Sequence, residues 1–235
     1  MRTGESHSTE SSAVRSASGD GDVLQNLVIL GTHSFAAEVA DLVAACDGFA
    51  VAAFAENWDR ARCAEPLLGH RVVWVDDLAA MAGDHLAVCS IGTTRRRGFV
   101  EQVAALGMRF ATLVHPAATV APSARLGAGT LAGAAVVVGA QTQIGAHAIL
   151  NRGVLVGHHT RVGDHVTLSP GANVAGRVTI GEQAYVGMGA IVLDGLSVGP
   201  GALVGAGAVV TRDVPAAAHV QGVPARVVRE AIDPH

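Results

Sequence analysis

VGHHTRVGDHVTLSPGANVAGRVTIGEQAYVGMGAI, residues 156–191, divides into six hexads, each opening on Val, Leu or Ile. The register runs on in both directions. Every sixth position from 120 to 210 (Val120, Leu126, Ala132, Val138, Ile144, Leu150, Val156, Val162, Leu168, Val174, Ile180, Val186, Val192, Val198, Val204, Val210) is aliphatic, and only Ala132 is smaller than Val. Gly recurs one place on, as at Gly139, Gly157 and Gly187, and a small or β-branched residue recurs four places on, as at Ala124, Thr142 and Ala184. A period of six matches neither a helix nor an ordinary strand; it is the signature of a coiled repeat. The physical reading is a parallel β-helix in which each hexad forms one flat side and three hexads form one coil. The aliphatic residue and the small residue two before it point inward, and the Gly with its two followers turns the corner. Residues 18 apart then stack about one strand spacing apart, roughly 4.8 Å.

Composition agrees with so narrow a core. The 235 residues are 50% hydrophobic yet include only 5 Phe, 2 Trp and 1 Tyr against 29 Gly, so Val, Leu, Ile and Ala must fill the interior. The net charge of −4 sets up no field for nucleic acid or an anionic membrane, and neither is expected as a partner. Cys46, Cys63 and Cys89 form no Cys-x-x-Cys pair and read as reduced core residues. No uncharged apolar run reaches 18 residues, and a cytoplasmic location is expected.

Upstream of the repeat the pattern differs. Residues 1–22 are rich in Ser, Gly and charge and read as a disordered tail. From residue 23 to 114, apolar runs such as VLQNLVILG (23–31) and HLAVCSIG (85–92) alternate with helical stretches such as FAAEVADLVAACDG (35–48), which predicts a small Rossmann-like parallel-sheet α/β domain. Its ligands belong at the carboxyl ends of the strands, by Gly31 and Gly92. GTHSFAA (31–37) retains only one glycine of Gly-x-Gly-x-x-Gly, so a dinucleotide site is not expected. The β-helix is assigned to 115–215 and a C-terminal segment to 216–235.

The hexad pattern resembles the hexapeptide-repeat acyltransferases, whose prism is a left-handed β-helix. With the first domain included, the chain resembles the sialic acid O-acetyltransferase and bacillosamine N-acetyltransferase family. The likeness is carried by GTHSFAAEVA (31–40), SIGTTRRR (90–97), LVHPAATVAPSA (113–124), NRGVLVGHHTRVGDHVTLSPGANVAG (151–176) and QGVPARVV (221–228). It implies a homotrimer using acetyl-CoA, without a metal, to acetylate an amino or hydroxyl group of a sugar, nucleotide-sugar or similar metabolite. His158 falls at the place of the family's general base, Asn151 at that of an Asn near the reacting group, and Gly176 at that of a backbone oxyanion donor. His159 stands where the family has Glu or Asp. The likeness further implies acetyl-CoA contacts at Gly176, Thr167, Gly205, Gly222, Pro224 and Arg226, and acceptor contacts at Gly31, Phe35, Glu56, Gly92, Thr93 and Arg97. The repeat geometry agrees by itself: Gly176 is 18 residues after His158, one coil up on the same corner, so a base and a bare N–H meet as acyl transfer requires. A non-catalytic trimeric scaffold or metabolite-binding β-helix protein is the other reading, since His159 replaces the carboxylate. His147 and His165 are also 18 apart; they are expected to stack as exposed corner residues.

Overall fold

The computed structural model describes residues 24–233 and 235, so the tail assigned to 1–22 lies outside the described residues. The first domain contains β1 (Gln25–Leu30), α1 (Phe35–Ala45), β2 (Phe49–Glu56), β3 (Val72–Trp74), β4 (His85–Cys89), α2 (Arg96–Ala105) and β5 (Arg109–Phe110). All its strands are parallel, in the order β3-β2-β1-β4-β5. Leu27, Val28, Ile29 and Leu30 of the central β1 are fully buried, which is why this run is continuously apolar rather than alternating. The chain leaves β1 toward β2 on one side and returns to β4 on the other. That reversal opens a crevice at the carboxyl ends of the strands.

From Leu113 onward, two-residue strands recur every six residues and stack into three parallel sheets. The left-handed β-helix keeps the 18-residue register: Val138 lies against Val156, Val156 against Val174, Val174 against Val192 and Val192 against Val210. Fourteen of the sixteen hexad residues are buried; Val120 and Leu126, in the first coil, are partly covered. The small inward position earns its hydroxyls a partner as well as a place: Thr130, Thr142 and Thr160 donate to the carbonyls of Gly145, Gly157 and Ala175 at 2.9, 2.8 and 3.0 Å.

Close approach of successive coils explains the recurrent Gly. A Cβ on Gly157 would lie 2.5 Å from both the Ala175 carbonyl carbon and the Gly176 nitrogen. The left-handed backbone falls two residues later, where His147, His159, His165, Arg177 and Gln183 have φ between 54° and 57°.

The three outer faces carry different loads. Leu131, Ile149 and Thr167 point outward from one sheet but are buried, Leu131 and Ile149 in the same apolar cluster as Leu27, Ile29 and Val39. Arg125, Gln143, Arg161, Thr179 and Ser197 make the second face polar and exposed. The third presents Val137, Leu155 and Ile191, exposed by 41%, 41% and 38%, with the exposed Asn173 between the last two.

Arg96, at the start of α2, locks the two domains together. Only 1% exposed, it donates to the carbonyls of His147 and Val166 at 2.9 and 2.7 Å, to the Thr167 hydroxyl at 2.7 Å and to the Thr93 carbonyl at 2.8 Å. Burial lowers its pKa to about 10, which leaves it charged at neutral pH. His147 and His165 do stack, with ring centroids 5.1 Å apart, but not as exposed corner residues. Phe110 meets the His147 ring edge-on at 4.6 Å and His165 is buried, because the first domain covers this corner.

Candidate active site

Hexad 156–161 begins with Val156 inward, passes Gly157 flat against the coil above, and turns at His158 and His159, both exposed. This corner separates the apolar outer face from the polar one. The left-handed conformation of His159 (φ 57°) turns its ring back, so that His158 Nδ1 and His159 Nδ1 are 3.0 Å apart with the rings nearly perpendicular. When His158 donates from Nδ1, its Nε2 carries a free lone pair. That nitrogen faces Gly176: a Cβ built there would lie 2.8 Å from Nε2 and 2.9 Å from Cε1. Only a residue without a side chain leaves the imidazole this position. The flanking N–H groups of Ala175 and Arg177 donate to the carbonyls of Val192 and His158 at 2.9 and 2.8 Å, whereas the Gly176 N–H makes no hydrogen bond among the described residues. A proton acceptor and an unspent backbone donor therefore share one open corner, an arrangement able to deprotonate a nucleophile and stabilise an oxyanion.

The family description "Bacterial transferase hexapeptide (six repeats)" matches residues 177–212. A mutant of perosamine N-acetyltransferase from Caulobacter crescentus, solved with CoA and GDP-perosamine, is similar at 33% identity with a TM-score of 0.81, over 88% of this chain and 99% of that one. The chain belongs to the hexapeptide-repeat acetyltransferases. The acetyltransferase domain of PglB from Neisseria gonorrhoeae, solved with acetyl coenzyme A, is 31% identical with a TM-score of 0.79, over 88% of this chain and all of that one. WeeI from Acinetobacter baumannii is 28% identical with a TM-score of 0.78, over 87% of this chain and all of that one. Among curated protein sequences, none matches.

In this hexapeptide-repeat acetyltransferase, Asn151 is not beside His158. It follows the strand Ile149–Leu150 on the neighbouring corner, its Oδ1 accepting from the Arg152 N–H at 2.8 Å, and the apolar face bearing Leu155 separates the two. Thr167 is buried beneath the first domain, with its hydroxyl donated to the Gly92 carbonyl at 2.9 Å and accepting from Arg96. It has no free group to offer acetyl-CoA. Gly205 packs against Gln221, whose Cβ would be 3.1 Å from a Cβ there. Gly222, Pro224 and Arg226 are exposed at the hairpin formed by His219–Gln221 and Arg226–Arg229.

Gly31, Phe35 and Gly92 gather at the carboxyl ends of β1 and β4. Gly31 has φ 106° with the Ser90 hydroxyl 3.0 Å from a Cβ there, and the Phe35 ring lies 3.9 Å from a Cβ on Gly92. Thr93 spends its carbonyl on Arg96. Arg97 is tied to Glu101 at 2.7 Å and to Gln183 of the β-helix at 3.1 Å. Glu56 is buried. Its Oε2 accepts from Thr32, and its Oε1 accepts from the N–H groups of Asn57, Trp58 and Asp59 at 3.0, 2.8 and 3.3 Å. Burial alone would raise its pKa, but these donors outweigh burial and hold the carboxyl below its usual value. Glu56 thus organises the loop after β2 rather than offering a free oxygen.

A cleft of about 500 Å³ opens beside that loop, lined by His33, Glu56, Trp58, Asp59 and Arg62, of which Glu56 alone was expected at the site. The signal was there in the polar run ENWDR (56–60), where one indole stands among charged and amide groups. A smaller cavity of about 220 Å³ between α1 and the prism includes Phe35, Leu42, His115 and Asn151 in its lining, with Glu38 and Arg152 paired across it at 3.3 Å.

Proposed function

We propose that this protein is an acetyl-CoA-dependent N-acetyltransferase whose acceptor is an amino sugar carried on a nucleoside diphosphate. The observation that carries the chemistry is the His158 imidazole lying over the unpaired N–H of Gly176. The acceptor class is supported by the GDP-perosamine, and the donor by the acetyl coenzyme A, bound to the relatives. In the reaction, the amino nitrogen attacks the thioester carbonyl carbon while His158 Nε2 takes a proton from it. The carbonyl oxygen becomes anionic and accepts from the Gly176 N–H. The carbon–sulfur bond then breaks, and the departing sulfur takes the proton back from His158 to give the amide and CoA. His159 acts as a positioning residue: by accepting from His158 Nδ1 it keeps Nε2 unprotonated, a role that elsewhere falls to a carboxylate.

Further copies of the chain complete the site in this reading. His158 and Asn151 lie at opposite edges of the outer face that is bare and mostly apolar, with Val137, Leu155 and Ile191 across it and Asn173 among them. Three prisms closing around an axis through these faces would set the His158 edge of one copy against the Asn151 edge of the next. The acetyl-CoA groove would run between them. A cytoplasmic setting follows, since both co-reactants are cytoplasmic metabolites; among the described residues no helix is long and apolar enough to cross a membrane.

The test is thiol release from acetyl-CoA across a panel of nucleotide-linked amino sugars, free amino sugars and nucleotide-linked hydroxy sugars, with mass measured by light scattering. Release confined to nucleotide-linked amines by a trimer is expected. Release with none of them would return the protein to the scaffold reading.

A further inference from the structure

Trp58 is 91% exposed, more than any other large apolar residue described. The chain's other tryptophan, Trp74, is covered by the Arg60 guanidinium, 5.2 Å above its ring, and its Nε1 donates to Asp76 at 3.2 Å. Trp58 has no ring or cation partner among the described residues. Yet its backbone is firmly placed. The Trp58 N–H donates to Glu56 Oε1 at 2.8 Å, alongside those of Asn57 and Asp59, so three successive residues wrap one buried carboxylate. A bare indole on a fixed loop is a platform already set out for a flat ring.

The rest of the cleft supplies a second kind of contact. Arg62 reaches across to the turn after β1, its Nη1 3.4 Å from the Thr32 hydroxyl and 3.5 Å from the Thr32 carbonyl oxygen. Among the described residues its only ion pair is with Asp59, at 3.9 Å, so its charge is loosely held at the cleft wall. His33 is exposed on the same turn. Arg97, the cation expected from sequence to face the acceptor, is instead paired with Glu101 and Gln183.

We infer that Trp58 is the stacking platform for the nucleobase of the acceptor and that Arg62 faces its diphosphate. This rests on the nucleotide-linked acceptor proposed above and adds the residues that select it. A purine covers more of an indole than a pyrimidine does. Of the two carboxylates lining the cleft, Glu56 is saturated, whereas Asp59 Oδ2 makes no hydrogen bond among the described residues. Guanine presents two N–H donors on its Watson–Crick edge to such an oxygen, and adenine presents an acceptor in their place. Guanosine diphosphate is therefore the preferred carrier.

Calorimetric titration of the full chain with GDP, UDP, ADP and guanosine tests this without turnover. GDP should bind most tightly. Trp58→Ala should weaken GDP by roughly 5- to 150-fold, the range for one stacked base, and Trp58→Tyr should recover most of the loss. Acetyl-CoA affinity and melting temperature should be unchanged in both, because the ring packs on nothing. Arg62→Ala should weaken GDP but not guanosine. GDP should quench tryptophan fluorescence in the parent and leave it unaltered in Trp58→Phe, where Trp74 alone remains. Equal GDP affinity in the parent and Trp58→Ala would overturn the platform while leaving the nucleotide-linked acceptor standing. Failure of the parent to bind any of the three nucleotides, with turnover of a free amino sugar, would overturn both.

Discussion

Replacing Gly176 by alanine separates the position of the imidazole proposed as the base from everything else at its corner. The backbone there is not left-handed, so alanine is accepted without strain, and the N–H remains in place. The new Cβ would stand 2.8 Å from His158 Nε2 and 2.9 Å from Cε1. Such contacts relax to about 3.5–4 Å, so the ring must swing away by about 0.5–1 Å. A misplacement of about 1 Å costs on the order of 10²-fold in rate, and kcat should therefore fall about 10- to 100-fold. Stability should hold, since the group that gives way is the free end of an exposed side chain. Gly157→Ala, one coil below on the same corner, provides the contrast. Its Cβ would meet the Ala175 carbonyl carbon and the Gly176 nitrogen at 2.5 Å, both backbone, so the coils must part at a cost of about 1–3 kcal/mol. Thiol-release kinetics and thermal melts on the two variants should show opposite patterns, lost turnover with an intact melt for Gly176→Ala and a lowered melt for Gly157→Ala. A Gly176→Ala enzyme with parental kcat would refute the placement of His158 as the base.

His158→Ala should lose about 10²- to 10⁴-fold in kcat, whereas His159→Ala, which removes one neutral hydrogen bond, should lose only about 2- to 12-fold; equal losses would assign the base to the wrong histidine. Val174→Asp places an unpaired carboxylate at a position 1% exposed, at a cost of several kcal/mol; an unchanged melting temperature would break the assigned register. Burial lowers the His147 pKa to about 4 and also lowers that of His165, with His165 and Arg96 adding to the effect at His147 and Asp164 opposing it. The unfolded chain then binds more protons between about pH 4 and 6.5, so stability is full above that window and falls as the pH drops through it, by at most about 3 kcal/mol for His147. Urea unfolding at pH 7 and pH 5 should show the fall, and His147→Asn, suited to the left-handed backbone, should flatten it; an equal slope in the variant would remove His147 from the account.

The β-helix was legible because its signal is local and repeated. Val156 and Val174 point inward for the same reason as every other hexad residue, and an 18-residue register follows by counting. The pairing of His158 with Gly176 was readable by the same count. What counting cannot supply is which corner faces the other domain. Thr167, His147 and His165 look like surface positions in the repeat and lie under the first domain, where Arg96 and Phe110 reach them. Arg96 and Arg97 are adjacent in sequence and differ in fate: Arg96 is buried among carbonyls between the two domains, whereas Arg97 stays at the rim, held by Glu101 and by Gln183 of the prism. Glu56 was read as an acceptor contact from the family likeness; folding commits its oxygens to the loop that carries Trp58. Such partitions depend on docking two elements far apart in sequence, and no short pattern encodes them.

The 18-residue ladder restricts how this architecture can change in length. One residue inserted on a flat side would turn every later inward Val outward, unless it bulged from a corner. Six residues inserted between His158 and Gly176 would rotate everything above by one third of a turn, bringing Ala175 and Gly176 over the next edge of the prism and some other residue over the imidazole. Only a whole coil preserves the phase, and even a whole coil inserted between these two residues would lift Gly176 one strand spacing beyond reach. Length variation is therefore quantised above and below the coil that joins His158 to Gly176 and forbidden within it. The prism can be grown or trimmed from its ends in steps of 18 while the two residues that meet at this corner keep their separation.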